Sequence, residues 1–446
     1  MRNSYLATLV WDRNRKNDAK YFSVGHEYMV VYAKSEPLLS ENQIIFRGEK
    51  DGVEDVRSEF DRLTAIHGCD WTAVRQGLLE FYRAIPDGDA RAPLKRFTKV
   101  DGKGPYRDDG NINWPGGGGP TYEVLHPETK KPCKLPTSGW RYPNPSRFWE
   151  EVTKGRIVFG PDETTVPRVR TNLFENTDQV MTSVHYSYAQ TSTNEFNALF
   201  DGRRVFDNPK PISDLRRLIA YVTGPDDLIC DFFAGSATTA HAVMKLNAED
   251  GGNRRHIMVQ VAELINENHE AYLSGFKTIP ELSRERIRRS GKIILESLCH
   301  ENWNKDVGFR TFKIDTSNMA EIYYTPDALD MANLDLFVEN IKSDRMPEDL
   351  LFQVMLDWGV DLTLPITREV IQGKEVLFVD GNDTQMALAA CFDANGGIDE
   401  AFVKELAKRL PLRVVFRDSG FNSSAVKINV EQIFKLLSPA TDVKCI

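Results

Sequence analysis

An α/β fold with parallel strand–helix–strand units is what this chain of 446 residues predicts, and three observations predict it. The apolar run Leu228–Cys230 ends in Asp231, passes a turn of mostly small residues, Phe232-Phe233-Ala234-Gly235-Ser236-Ala237, and enters a helix opened by Thr238 and Thr239. A polar loop, Asn247 to Arg255, then leads to a second apolar strand, His256 to Ala262, tipped by Glu263. From about residue 310 onward the sequence carries a separate α/β pattern of its own. Strand, helix and strand with an acid at each strand end form a β-α-β unit. Such a crossover is expected to be right-handed, with the ligand outside the carboxyl edge of its strands.

The other elements follow in order. Residues 4–12 and 27–34 read as apolar strands. Residues 54–84 read as helix, with Phe60, Leu63, Ile66, Leu78, Leu79 and Phe81 near three-to-four spacing. From 86 to 170 the composition shifts to Gly, Pro, Trp and basic residues with little periodicity, and a connection of that length is usually a functional element. Within it, Gly116–Gly119 has prolines on both flanks, no strand before it and no Lys-Ser/Thr after it, so it reads as a loop or tight turn rather than a phosphate cradle. Trp114, Trp140, Tyr142, Phe148 and Trp149 either stack on bases or build the small core of this segment. Residues 209–223 form an amphipathic helix stopped by Gly224-Pro225. A strongly basic helix spans 280–298, with Arg284, Arg286, Arg288, Arg289 and Lys292. In the last region, strands are predicted at 375–380, 387–393 and 412–417 and a helix at 399–409.

Composition narrows the function. Hydrophobic residues make up 41% of the chain, and no apolar run is long enough to span a bilayer. The start carries no basic-then-apolar signal, so a cytoplasmic location is expected. Six scattered cysteines without a C-x-x-C pair suggest neither zinc nor a disulfide scaffold. A net charge of −9 argues against a uniformly basic protein, yet phosphate contacts need only local charge. Arg91, Lys95, Arg96, Lys99, Lys103 and Arg107 crowd one segment, and Lys130, Lys131, Lys134, Arg141 and Arg147 another. The acids concentrate between Asp327 and Asp361. Each basic cluster is either a face for nucleic acid or an ordinary solvated surface.

The small residues of the 232–237 turn let a ligand approach the backbone, and the free N–H groups of a helix start favour an anionic group. The turn lacks the G-x-G-x-x-G of a dinucleotide site and the Gly-Lys-Ser/Thr of a phosphate loop, which weakens NAD and ATP and leaves an adenosine-type cofactor.

The stretch Asp231 to Met244 resembles the S-adenosylmethionine motif of the amino-methylating DNA methyltransferases, and most of all the modification subunit of type III restriction–modification systems. Further stretches in the same order support the resemblance: Trp11-Asp12-Arg13 with His26-Glu27-Tyr28, Trp114 to Gly119, Phe206 to Pro211, and Phe416 to Phe421 with Lys427-Ile428-Asn429. It covers nearly the whole chain. It implies a Rossmann-like S-adenosylmethionine-dependent methyltransferase fold with an inserted target-recognition region and a C-terminal α/β domain. The implied parts are a hairpin of the catalytic sheet at 1–40, a DNA-binding target-recognition region at 41–200, the cofactor-binding part at 201–305, and a subunit-interaction domain at 306–446.

The resemblance also implies roles. Glu263 is the ribose ligand, and Asp231 favours the sulfonium and ammonium side, helped by backbone N–H groups of Phe232, Phe233, Ala234, Gly235 and Ser236. Thr238 and Thr239 complete the cofactor-binding turn as cofactor contacts, while Asn208 and Lys210 lie against the methionine end, where Lys210 could pair with a carboxylate. Arg91, Lys95, Arg96, Lys99, Lys103, Arg107, Trp114, Trp140 and Arg141 are the candidate DNA contacts. Ala237, often glycine in the wider motif, reads as neutral here.

One departure matters. The Asp-Pro-Pro-Tyr that holds the target base in this family occurs nowhere in the chain, so no catalytic residue is assigned. The chain reads as a family member without its N-terminal part, with an incomplete sheet, unpaired central strand edges and no activity alone. The missing half would come from a separate polypeptide, or the chain is a truncated product. The expected reaction of the complete enzyme is methyl transfer to adenine N6 in double-stranded DNA. Cytosine N4 and a non-catalytic DNA- or cofactor-binding module are the alternatives. A second copy of the chain and a helicase–endonuclease subunit are the protein partners implied.

Overall fold

The structure, a computed structural model, describes residues 4–12, 20–22, 24–86, 89, 91–186, 189–320, 340–380 and 386–446. The chain divides into two compact units, Met1–Gly308 and Phe309–Ile446.

In the first unit, β1 (Tyr5–Asp12) and β2 (His26–Tyr32) pair antiparallel. A short helix, α1 (Glu36–Glu41), and a two-residue strand, β3 (Gly48–Glu49), follow. The 54–84 stretch is two helices instead of one, α2 (Val53–His67) and α3 (Trp71–Ala84). The break lies at Gly68, with φ of 60°, and at Asp70, whose carboxylate accepts the N–H groups of Thr72 and Ala73 at 3.1 Å. Capping the second helix satisfies donors that a broken helix exposes. Both helices turn the same kind of apolar face inward, Phe60 and Leu63 against Val74, Leu78 and Tyr82, and that common spacing hides the break.

The 86–170 segment is more regular than its composition suggests. It holds β4 (Lys99–Asp101), β5 (Gly104–Gly110), α4 (Pro145–Thr153) and β6 (Ile157–Val158), and β7 (Arg168–Asn172) lies just beyond. These strands form one sheet in the order β4-β5-β7-β6. Strand β5 reads Gly-Pro-Tyr-Arg-Asp-Asp-Gly, so it carries no apolar alternation, and its pairing with β7 slips between Arg107 and Gly110. Next, β8 (Asp178–Gln179) pairs with β3, and β9 (Val184–Tyr186) lies parallel to β1.

Then come α5 (Ala189–Ala198), α6 (Ile212–Val222), β10 (Leu228–Asp231), α7 (Thr238–Asp250), β11 (Arg255–Met258), α8 (Glu270–Leu273) and α9 (Ile279–Glu296). Strands β10 and β11 are parallel, with Ile229 opposite His256 and Cys230 opposite Ile257. Helices α6 and α7 pack through Ile212, Ile219, Ala242, Val243 and Leu246, with Ile229 against them. Strand β11 stops at Met258, not at 262, because β10 ends at Asp231 and leaves it no ladder partner; the last bond runs from Val259 N–H to the Asp231 carbonyl at 2.8 Å. Among the described residues β10 and β11 pair only with each other, and Leu228 and Ile257 on one face are 52% and 47% exposed.

The second unit has α10 (Pro347–Asp357), β12 (Ile366–Ile371), β13 (Lys374–Val379), β14 (Leu388–Cys391), α11 (Glu400–Ala407), β15 (Arg413–Phe416), α12 (Ser424–Leu437) and β16 (Asp442–Cys445). Its sheet runs β12-β13-β14-β15-β16, antiparallel for the first three strands and parallel for the rest. One face meets α11 and α12 through Phe402, Leu406, Val430 and Phe434; the other meets α10 through Leu350, Leu351, Val354 and Met355. Residues 321–339 of the acidic stretch lie outside the described residues. Among those described, no helix is long and apolar enough to cross a membrane.

Candidate functional site

The turn between β10 and α7 is closed by its own acid. The Asp231 carboxylate accepts the Phe233 N–H at 3.1 Å and the Thr239 hydroxyl at 2.6 Å, tying the strand tip to the first turn of α7. The Ala234 N–H donates to the Val259 carbonyl at 3.0 Å and the Gly235 N–H to Gln260 Oε1 at 2.8 Å. Three of the five backbone donors expected to face a ligand, those of Phe233, Ala234 and Gly235, are therefore held by protein acceptors. Gln260 is a site residue that sequence reasoning passed over. Its signal was one amide in the apolar run Val259-Gln260-Val261, just beyond the end of β11.

Ala237 is not neutral. It adopts φ 60° and ψ 40° at the start of α7 and is completely buried. A residue with a Cβ pays about 1 kcal/mol or more in that conformation. The Ala237 N–H bond to the Ala234 carbonyl, 2.7 Å, helps hold it there.

Helix α9 braces the turn from the buried side. Ser283 donates its hydroxyl to the Gly235 carbonyl at 2.5 Å. Arg286, 1% exposed, donates from Nη1 to the Ser236 carbonyl (3.1 Å), Ser236 Oγ (2.7 Å) and Thr238 Oγ1 (2.6 Å). These acceptors are neutral, and the guanidinium also lies over the Phe196 ring at 4.9 Å. Burial pulls the Arg286 guanidinium down to about 9, against the raising effect of Glu195. His241 on α7 is pushed down to about 3, by burial first and then by Arg286 and Lys245. The sequence showed Arg286 only as one of five cations on a basic helix; its burial separates it from the exposed Arg288.

The open side is aromatic and acidic. Phe232 and Phe233 are 68% and 89% exposed, a rare state for two adjacent aromatics. Glu263 is exposed, and its main chain is fixed by Glu263 N–H to the Val261 carbonyl (2.7 Å) and Ile279 N–H to the Glu263 carbonyl (3.0 Å). Asn208 takes a left-handed φ of 53°, and Lys210 forms an ion pair with Glu27 of β2, so the carboxylate it meets belongs to the protein. His185 and Asp214, 2.8 Å apart, join β9 to α6.

The basic segment is interleaved with acids and is not a bare cationic stripe. Arg91 pairs with Asp55 and Asp89, Lys99 with Asp108, and Lys103 with Glu175 at 3.9 Å. Arg96 and Arg107 approach Asp109 at 3.8 and 3.5 Å, and Arg141 donates to the Asn111 carbonyl at 3.2 Å. Trp140 is buried, with its indole N–H on the Tyr122 carbonyl at 2.7 Å and its ring against Phe148, so base stacking is not open to it. Trp114 is half-buried beside a true tight turn, in which Gly116, Gly117 and Gly118 all have positive φ.

A parallel strand pair with a helix between, an acid at the first strand tip and an exposed aromatic edge is the kind of site that serves nucleotide-type ligands in α/β proteins. A family model described as DNA methylase matches residues 2–277, and the chain belongs to that family. The chain is 28% identical over 432 residues to the Mod subunit of the type III restriction–modification enzyme EcoP15I of Escherichia coli, covering 94% of this chain and 62% of that protein. It is 30% identical to the StyLTI Mod subunit of Salmonella typhimurium over 70% of this chain and 41% of that protein. With the EcoPI Mod subunit of Escherichia phage P1 it shares 26% identity over 90% of this chain and 59% of that protein. The chain thus spans less than two thirds of the length of each of these relatives.

Proposed function

We propose that this chain supplies the cofactor-binding and target-recognition parts of a type III DNA adenine-N6 methyltransferase acting in the cytoplasm. The observation that carries the proposal is the braced turn: Asp231 and α9 hold it from within, while Phe232, Phe233 and Glu263 stay open to a ligand. That donor set fits S-adenosylmethionine. Glu263 can accept two ribose hydroxyls, the Phe232 and Phe233 rings offer faces for adenine, and Asp231 places negative charge near the cationic part. When bound, S-adenosylmethionine supplies the electrophilic methyl group. In this reading Asn208 and Lys210 lie toward the methionine end, where Glu27 competes for the Lys210 ammonium.

In this reading β1, β2, β9, β10 and β11 are parts of one Rossmann-like sheet whose central strands, with the Asp-Pro-Pro-Tyr, belong to a polypeptide segment outside these 446 residues. The exposed Leu228 and Ile257 and the greater length of the relatives support it. Residues 1–40 are then the sheet hairpin, 41–200 the DNA-reading region, 201–305 the cofactor part and 306–446 the subunit contact. Double-stranded DNA, a second copy and a helicase–endonuclease subunit are the proposed partners. The absent tetrapeptide also favours a second reading, a non-catalytic DNA- or cofactor-binding module; cytosine N4 is the alternative target.

Calorimetric titration of S-adenosylmethionine into the chain tests the reading, with Asp231→Ala and a melting curve as controls. Binding that the variant loses while staying folded supports it; a folded parent that binds nothing refutes a self-sufficient cofactor site. Incubating the chain with duplex DNA and labelled cofactor, with mass analysis of the bases, separates adenine, cytosine and no transfer.

A further inference from the structure

A cavity of about 230 Å³ lies between the segment after α3 and the four-stranded sheet. Its floor is apolar, Leu94 and Phe97, both buried in the α2–α3 core. Arg107 and Thr171, opposite each other in the β5–β7 register, form one wall. Lys50, next to β3, and Gln179 of β8 form another, and Arg96 stands exposed at the rim.

The lining carries three cations, Lys50, Arg96 and Arg107, against one acid, Asp51. Arg217 already pairs with Asp51 at 3.1 Å. Asp109 serves Arg96 and Arg107 only at 3.8 and 3.5 Å, and Arg107 Nη1 is buried with no hydrogen-bond partner among the described residues. A buried donor held only by a distant acceptor is poorly compensated for its lost water. Burial, and then the neighbouring Arg47, lower the proton affinity of the Lys50 ammonium, against the raising effect of Asp178. The space far exceeds the roughly 15 Å³ that one water needs. An oxyanion here would accept from Arg107 Nη1, which Asp109 reaches only at 3.5 Å, and offset the excess charge, with Thr171 and Gln179 as further polar partners.

We infer that this cavity is a phosphate-binding site and that its occupant is a backbone phosphate of duplex DNA. The second half rests on the DNA reading above, since the cavity lies within residues 41–200. Arg96, exposed among the lining residues, lets a strand of phosphates continue outward where a single free phosphate would end. The site positions the duplex and does not read bases.

The test measures duplex DNA binding by fluorescence anisotropy at several salt concentrations for the full chain and for Arg107→Gln, Lys50→Gln and Arg96→Gln, with titrations of inorganic phosphate alongside. Arg96 is exposed, so its variant keeps the comparison valid if burial makes the others unstable. The expected result is about tenfold weaker binding at low salt and a salt slope shallower by about one for each variant. Duplex binding with unchanged slopes in all three variants would overturn the inference and leave the DNA reading intact. Phosphate binding that depends on Arg107, in a chain that does not bind duplex, would overturn the DNA occupant and assign the cavity to free phosphate. Binding of neither would overturn both.

Discussion

Ala237 shows how much one residue's backbone can decide. Its type suggested tolerance, and only its φ of 60° reveals strain inside a fully buried turn. Ala237→Val adds β-branching in that conformation and volume to a closed site. Urea denaturation is expected to show a loss of about 2–4 kcal/mol; an unchanged midpoint would mean that the turn relaxes away from its left-handed state. His241 supplies a second residue-scale expectation. Its folded-state pKa, about 3, lies below the unfolded value near 6.5, so protons favour the unfolded chain. The contribution of the neutral ring is complete above about pH 6.5 and is lost as pH falls toward 3, by up to about 1.4 kcal/mol per pH unit. His241→Gln should flatten that part of the stability profile, leaving the smaller share of His256, which burial also lowers.

At the scale of elements, the β10–α7 turn depends on a helix some forty residues further along. Arg286 and Ser283 occupy the turn's carbonyl and hydroxyl oxygens, which leaves Phe232, Phe233 and Glu263 to the open side. Arg286→Lys keeps the charge but not the fork. It is expected to lower stability by about 1–3 kcal/mol and to weaken S-adenosylmethionine binding in calorimetry. Undiminished binding would show that the brace is structural only. The α2–α3 junction is a simpler case: Asp70→Ala should cost about 1 kcal/mol, read from thermal melting, because two N–H groups lose their acceptor. The Gly68-Cys69-Asp70 punctuation was visible in the sequence, but the matching apolar faces on either side outweighed it. The β4-β5-β7-β6 sheet left less trace, since β5 carries no apolar alternation and the sheet's strands are held by ladder bonds and by the aromatic core of Trp140 and Phe148 packed against them.

At the scale of the molecule, each unit has its own interior. The second buries both faces of a five-stranded sheet under α10 on one side and α11 and α12 on the other. Residues 309–446 alone are therefore expected to unfold in one cooperative urea transition, followed by circular dichroism; a broad, non-cooperative loss would show that they need the rest of the chain. The first unit presents the opposite situation, a two-stranded parallel pair with an apolar face in solvent. Parallel strands are normally covered by helices on both faces, so that face is where helices of the proposed missing segment would pack, with its central strands pairing at the sheet edge.

The sequence by itself determined the β-α-β unit around Asp231, the family to which it belongs, and most strands of the second unit, because those elements carry strong local signals: apolar runs, small-residue turns and helical periodicity. Tertiary structure alone decided which turn donors stay available, that Lys210 meets Glu27, that Trp140 is core, and that Arg107 Nη1 lines a cavity with no hydrogen-bond partner among the described residues. Those outcomes depend on partners far apart in the chain, and a residue's type does not encode the neighbour that folding will place beside it.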